Sequence, residues 1–518
     1  MAMYRRPRLA VLLRIGLIAL MAACAPKLIG SQAQHPAPAT RIEHLVLIVQ
    51  ENHTFDNYFG SWCGGEAPPP TPENPGPNPH MSCNGGWECC ETAFTAKESW
   101  RARSQPSCIP RQMDDALNAS SNPPHSADAE FERMHRVEGS FLMDRFPCDE
   151  SGAVSVLPRD SRLNFYFQLA SRNALADRYF QPIIGGSCAN DMFFARAGFV
   201  FEDNRAVPND AVGSACAGYC VRGTHCVTNQ PNAAVDASGD TLFREYQDLS
   251  LGDLLEQHRV SWGVYMEGYR AKSCMGTYPW SWDPSDNPFN YYPRHRDGPR
   301  MHILSDLATD LASGNLPAVV MIRSLGYRSE HPTTKGSKVV KISDGLDFVN
   351  IVLAAIERSN YAAKTLILIT WDEGGGFYDH VVPPEVMADG TPLPKAFVGS
   401  PSSKTTDAIA RPAALGEPEC FRCSSDPQRL GQQFYGTRVP LIAVGPFTRK
   451  YSPGSAGGGY ISHATMEHSS IVKFIEWNWL GRKSGQLGTR DAHVNNLGSL
   501  LTTDLQIIGI KVPEGFSD

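Results

Sequence analysis

Short, wholly apolar runs that stop abruptly in polar residues recur along this chain. They constrain its fold more than any other feature. Leu45-Val46-Leu47-Ile48-Val49, within a strand expected over 42–49, gives way to Gln50-Glu51-Asn52. The stretch 365–370 gives way to Asp372-Glu373-Gly374-Gly375-Gly376, and 317–322 and 439–444 are two more such runs. Runs this short suit strands buried on both faces. Helices are expected over 125–143 (Phe131, Met134 and Phe141 inward), 163–176, 190–197, 250–258, 345–358 and 464–479. Further strands are expected at Arg178-Tyr179-Phe180 and over 261–266. Strands alternating with helices imply an α/β fold with a mostly parallel central sheet covered on both sides. No internal repeat and no linker that would split off a second domain is visible.

The chain has 518 residues, 42% of them apolar and 19% charged, with 45 Gly and 39 Pro. That is a large, loop-rich globular protein, neither collagenous nor disordered. Its first residues have the layout of an export signal. Arg5, Arg6 and Arg8 precede an apolar stretch over 9–21, and Ala22-Ala23-Cys24-Ala25 follows. The stretch is too short to span a bilayer, which takes ~20 residues. Residues 1–23 therefore read as a signal peptide, with 24–40 a polar leader. The small residues before Cys24 also resemble a lipoprotein processing site, so a lipid at Cys24 could tie the chain to a membrane, although Met21 stands where Leu is usual. The expected location is periplasmic or secreted. Residues 1–23 hold four Arg and no acid, so without them the net charge goes from −7 to −11. An acidic body argues against a nucleic-acid partner, which would call for a basic stripe.

An exported chain with 14 cysteines points to disulfides. Most cysteines cluster in loop-like excursions over 63–110, 203–240 and 383–435. Cys420 and Cys423 could instead bind zinc, but no equally tight second pair lies nearby. Thirteen cysteines follow Cys24, which leaves one unpaired.

In open α/β sheets, ligands bind beyond the carboxyl ends of the strands. Glu51, Asn52, Asp372 and Glu373 all stand at such ends. Adjacent buried acids must be solvated, hydrogen-bonded or metal-bound, and the three glycines let backbone approach a ligand closely. Oxygen ligands of this kind suit a divalent metal without fixing which one. Ser187 follows two glycines where a helix begins, a place for either an N-cap or a nucleophile. His125 and His331, each beside proline, are harder to explain by packing than the other histidines.

Several segments together resemble a known family. They are Glu51-Asn52-His53-Thr54-Phe55-Asp56-Asn57-Tyr58-Phe59-Gly60, Gly185-Gly186-Ser187-Cys188-Ala189-Asn190 and Ser329-Glu330-His331-Pro332, followed by Thr370-Trp371-Asp372-Glu373-Gly374-Gly375-Gly376-Phe377-Tyr378-Asp379-His380 and Glu467-His468-Ser469-Ser470-Ile471. The chain resembles bacterial phosphoesterases that include phosphocholine-type phospholipases C and a group of acid phosphatases, of the alkaline-phosphatase-like superfamily. The resemblance implies a three-layer α/β sandwich with Cys-rich loop excursions, one domain over 41–482 and a tail over 483–518. It implies that Glu51, Asn52, Asp372 and Glu373 hold a divalent metal ion, that Ser187 is the nucleophile, and that His125 and His331 contact the phosphoryl group or leaving oxygen.

This chain departs from the family at three points. Ser187 stands where the phospholipases typically have Thr. Asp286-Asn287-Pro288-Phe289 replaces His-Asn-Pro-Phe, with His295 a possible substitute for the lost histidine. No C-terminal β domains are expected. The expected function is hydrolysis of a small phosphomonoester through a phosphoserine intermediate, as in the acid phosphatases. The alternatives are phospholipase C cleavage of phosphocholine or phospholipid diesters, and an inactive envelope binding protein.

Overall fold

A computed structural model describes residues 37–60, 111–125, 127–137, 140–143, 145–146, 155–158, 164–198, 249–269, 286–332, 334–335, 338–384, 435–450 and 459–507. Eight strands form the central sheet. They are β1 (His44–Gln50), β2 (Ala174–Ala176), β3 (Trp262–Met266), β4 (Met301–Ile303), β5 (Val319–Arg323), β6 (Thr365–Trp371), β7 (Leu441–Val444) and β8 (Tyr460–Ser462). Their order is β8-β2-β7-β6-β1-β5-β3-β4. Only β7 runs antiparallel to its neighbours, so the sheet is mixed but mostly parallel.

The central strands are the apolar runs of the sequence. β1 and β6 are buried at every residue, as strands covered on both faces must be. Flanking helices include α1 (Phe55–Phe59), α2 (Ala127–Met134), α3 (Asn164–Arg172), α4 (Ser187–Arg196), α5 (Leu251–Gln257), α6 (Leu304–Ser313), α7 (Ile342–Glu357) and α8 (His468–Trp479). α8 is buried at every residue but Lys473 and packs on α4. The β1–β6 register aligns Ile48 with Ile369 and Gln50 with Trp371. Glu51 and Asp372 therefore leave the sheet side by side.

Some expected elements change. The helix expected over 125–143 stops at Met134, where His135 takes a φ of 50°, and a two-residue hairpin, Arg136–Val137 with Ser140–Phe141, follows. The helix expected over 163–176 ends at Arg172, and its last three residues form β2. Helix propensity there yields to pairing with β7 and β8. The last helix begins at His468 rather than 464, after the short strand Met466–Glu467. Most of the expected cysteine-rich excursions, and with them the disulfide, zinc and lipid-anchor readings, lie outside the described residues. No described helix is long and apolar enough to cross a membrane.

Leu368 sits fully buried in β6, whereas Ile351 on α7 is 59% exposed. Leu368→Ala is expected to lower unfolding free energy by about 2–5 kcal/mol. Ile351→Ala should change it by less than ~0.5 kcal/mol. Chemical denaturation of both variants measures the difference.

Candidate active site

The strand ends and the glycine turn after β6 bring most of the expected residues together. The Asn52 amide donates to Asp372 Oδ1 at 2.9 Å, from a backbone φ of 61°. Asn52 Oδ1 lies 3.5 Å from the Ser187 hydroxyl, and Asn52 Nδ2 lies 3.4 Å from His125 Nε2. His125 Nε2 is 3.7 Å from Glu373 Oε1. The rings of His125 and His331 are 6.3 Å apart. Glu51 is buried, and its amide donates to the Ser329 carbonyl at 2.8 Å.

Ser187 is the first residue of α4, and the N-cap is Gly186, which makes no side-chain capping bond. The N-cap alternative for Ser187 is therefore set aside. Its hydroxyl is directed to Asn52 and is one of the groups that stabilise ionised Asp372. Both histidines have a defined tautomer. A carbonyl can only accept, and Nδ1 of His125 faces the Pro123 carbonyl at 2.7 Å while that of His331 faces the Pro332 carbonyl at 2.6 Å. Each Nδ1 bears the proton, so in the neutral ring Nε2 carries the lone pair. Burial also lowers the pKa of His125.

The carboxylates are crowded and dry. Asp372 and Glu373 are 0% exposed. Burial raises the pKa of Asp372 against the opposing charge of Arg323 and the Asn52 amide. Glu373 is pushed well above the usual carboxylate range by burial and then by the charge of Asp372. Asp372 Oδ2 and Glu373 Oε1 have no hydrogen-bond partner among the described residues. Two buried carboxylate oxygens left open beside an amide oxygen and a hydroxyl form a donor set that fits a hard divalent cation.

A second group also has ligand-like spacing. Asp56, Asp379 and His380 place ligand atoms within 4.8 Å of one another, a spacing that can hold a divalent ion. There the Arg438 guanidinium already contacts Asp56 at 3.1 Å and Asp379 at 2.9 Å. A metal there would sit beside that fixed positive charge.

Sequence reasoning missed four site neighbours. Arg323 ends β5, is 2% exposed and pairs with Asp191, which lies one turn along α4 from Ser187. Burial lowers the pKa of Arg323, but the charges of Asp191, Asp286, Asp372 and Glu51 more than reverse this. Asp286 thus faces a cation close to the site. Glu130 on α2 accepts from the Gly185 amide at 2.9 Å and the Gln181 amide at 3.0 Å, and Gln181 in turn accepts from Gly374 at 2.7 Å. Glu330 is the fourth. The detectable signal was a charged residue closing an apolar run, as Arg323 does.

His295 does not take the place of the lost histidine. It is buried against Ser250 at 3.0 Å and Asp253 at 3.3 Å, at the start of α5. Phe289, Tyr291 and Tyr292 are core residues.

Gly375 lies at φ 64°, and a Cβ there would fall 2.3 Å from the Asn52 carbonyl oxygen. Gly481, at φ 79°, has open space around it. Gly375→Ala is expected to weaken Mn²⁺ binding by about tenfold or more, as when a ligand loses its support. Gly481→Ala should cost only about 1–2 kcal/mol of stability. Calorimetric titration and thermal melting of both proteins test this.

Residues 42–480 match the Phosphoesterase family. A non-hemolytic phospholipase C of Burkholderia pseudomallei is 24% identical over 471 residues, covering 86% of this chain and 56% of that protein. Phospholipase C B of Mycobacterium tuberculosis is 25% identical over 490 residues, covering 90% and 78%. The chain spans about half the length of the first relatives it matches. Among solved structures, a protein in the alkaline phosphatase superfamily from Vibrio parahaemolyticus aligns over 89% of this chain and 74% of that one. Its TM-score is 0.31 and its identity 8%, too distant to carry an argument. The family match spans most of the sequence and every strand end described above, and the chain belongs to the Phosphoesterase family.

Proposed function

We propose that this chain is a metal-dependent phosphodiesterase of phospholipase C type that uses Ser187 as its nucleophile. The observation behind the nucleophile is the hydroxyl of Ser187 at the first turn of α4, 3.5 Å from Asn52 Oδ1 and beside the buried Asp372 carboxylate. The phosphomonoester reading gives way on two grounds. The relatives above are phospholipases C. The site is also rich in acids, since Glu51, Asp191, Asp286 and Asp372 all bear on Arg323. A monoester dianion meets more repulsion there than a diester, which has one negative charge.

Glu51, Asn52, Asp372 and Glu373 would hold the metal. A divalent cation there would lower the pKa of the serine hydroxyl and offset charge on the phosphoryl oxygens. In the first step Ser187 Oγ bonds to phosphorus as the bond to the leaving alkoxide breaks. The serine proton departs to solvent, and His331, whose Nε2 takes up a proton from solvent beforehand, donates that proton to the leaving oxygen. His125, kept neutral by burial, offers its Nε2 lone pair to the Asn52 amide and orients that side chain. Water then attacks phosphorus, the Oγ–P bond breaks with a proton from that water passing to Ser187 Oγ, and the phosphorylated headgroup leaves.

The inactive binding-protein alternative fares poorly, because the residues this chemistry needs are all present. The N-terminal pattern supports export with removal of residues 1–23, which intact-mass measurement of the mature protein would check.

The decisive assay compares an aryl phosphate with its phosphocholine ester. The phosphocholine ester should have a kcat/KM at least ~10-fold higher, equivalent to ~1.4 kcal/mol at the transition state. Ser187→Ala should cut kcat by about 10³-fold or more while the protein stays folded. Exhaustive chelation should abolish turnover of the wild type, and added metal should restore it. Preference for the aryl phosphate would return the monoester reading, and full activity in Ser187→Ala would remove the nucleophile assignment.

A further inference from the structure

Glu330 is 0% exposed, and among the described residues its carboxylate is met by four neutral donors. Oε1 accepts from Gln50 Nε2 at 3.1 Å and from the Tyr166 hydroxyl at 2.7 Å. Oε2 accepts from the Trp371 indole at 3.2 Å and from the Tyr58 hydroxyl. Every donor here is suited to an ionised acceptor, because a carboxylate offers about four lone-pair sites and no proton. The main chain of Glu330 is pinned as well. Its carbonyl accepts from His53 Nε2 at 3.0 Å and Asn118 Nδ2 at 3.2 Å. Its φ is 70°, a left-handed conformation that costs a non-glycine residue about 1–2 kcal/mol. α7 leaves room for the side chain at Gly345, where a Cβ would lie 2.2 Å from Glu330 Cγ.

The placement of the four donors gives this arrangement its meaning. Gln50 immediately precedes Glu51 and Asn52. Trp371 immediately precedes Asp372 and Glu373. Glu330 itself precedes His331. Tyr58 belongs to α1 and Tyr166 to α3. One carboxylate thus joins the three chain segments that carry Glu51, Asn52, His331, Asp372 and Glu373, five of the seven expected site residues, and anchors them to two helices. Stability alone does not call for a buried anion, since an apolar side chain of similar shape fills such a place without desolvation cost. A fully satisfied polar network does fix one geometry.

We propose that Glu330 is a positioning residue that sets the spacing between the ends of β1 and β6 and the turn bearing His331. The metal ligands and the histidine are then pre-arranged before metal or substrate arrives. This inference rests on the hydrolase reading of the site given above.

The test uses the full chain, with Mn²⁺ as the probe and the aryl phosphocholine ester as substrate. In Glu330→Gln an amide faces donors that need an acceptor, so at least one is left unpaired. Its Mn²⁺ Kd should rise and its kcat should fall, each by about 10-fold or more, as for other residues that orient metal ligands. KM should change less than kcat. Tyr166→Phe removes one donor and keeps the carboxyl group, and should show the same pattern at a smaller size. If Glu330→Gln fails to fold, Tyr166→Phe decides the matter alone. Folded variants that melt earlier yet keep the wild-type Mn²⁺ Kd and kcat would show a residue of stability only, and would overturn the proposal. Wild-type protein that binds no Mn²⁺ and cleaves neither ester would instead sink the site reading, and this inference with it.

Discussion

Two neighbouring carboxylates with no access to water dominate this molecule. Asp372 and Glu373 are side by side at the end of a strand buried at every residue, each with an oxygen that no described group satisfies. Ionised acids in such a place are costly unless something positive offsets them. The fold supplies part of that offset through the Asn52 amide at 2.9 Å and the guanidinium of Arg323. The remainder is what a divalent cation would contribute. The site is therefore better understood as a deficit of positive charge built into the sheet than as a collection of reactive groups.

The sheet can hold that deficit because its register is fixed by hydrophobic burial. The continuous apolar faces of β1 and β6 lock Gln50 opposite Trp371. A slip by one residue would turn every buried side chain to the other face. Beyond those strands, glycine takes over. Gly375 lets the turn after β6 pass against the Asn52 carbonyl, and Gly376 lets it pass against the Pro124 carbonyl, 2.7 Å from where a Cβ would sit. That second contact brings the loop of His125 to the metal ligands. His468, buried and neutral with its pKa near 3, bonds the Asp372 carbonyl at 2.7 Å and ties the start of α8 to the same turn.

Legibility in the sequence followed periodicity. The apolar runs of β1, β5, β6 and β7 were visible because burial on both faces confines polar residues to the strand ends. β2 was not visible, since Ala174–Ala176 continues a helical pattern and becomes strand only through its neighbours. The ligand candidates were legible as polar residues at strand ends. Their supports were not. Glu130 and Asp191 lie within helices, where acids look like solvated surface, and only the folded chain shows them buried. Glu330 was read merely as the neighbour of His331. Asp286 was legible as a departure from the family pattern, but its bearing on Arg323 required the structure.

The most direct test of the account is the location of bound metal. Crystals grown with Mn²⁺ and measured for anomalous scattering should show a peak coordinated by Asp372 and Glu373, with Asn52 Oδ1 and Ser187 Oγ close by. A peak at Asp56, Asp379 and His380 instead, or no peak at either group in an active enzyme, would contradict it.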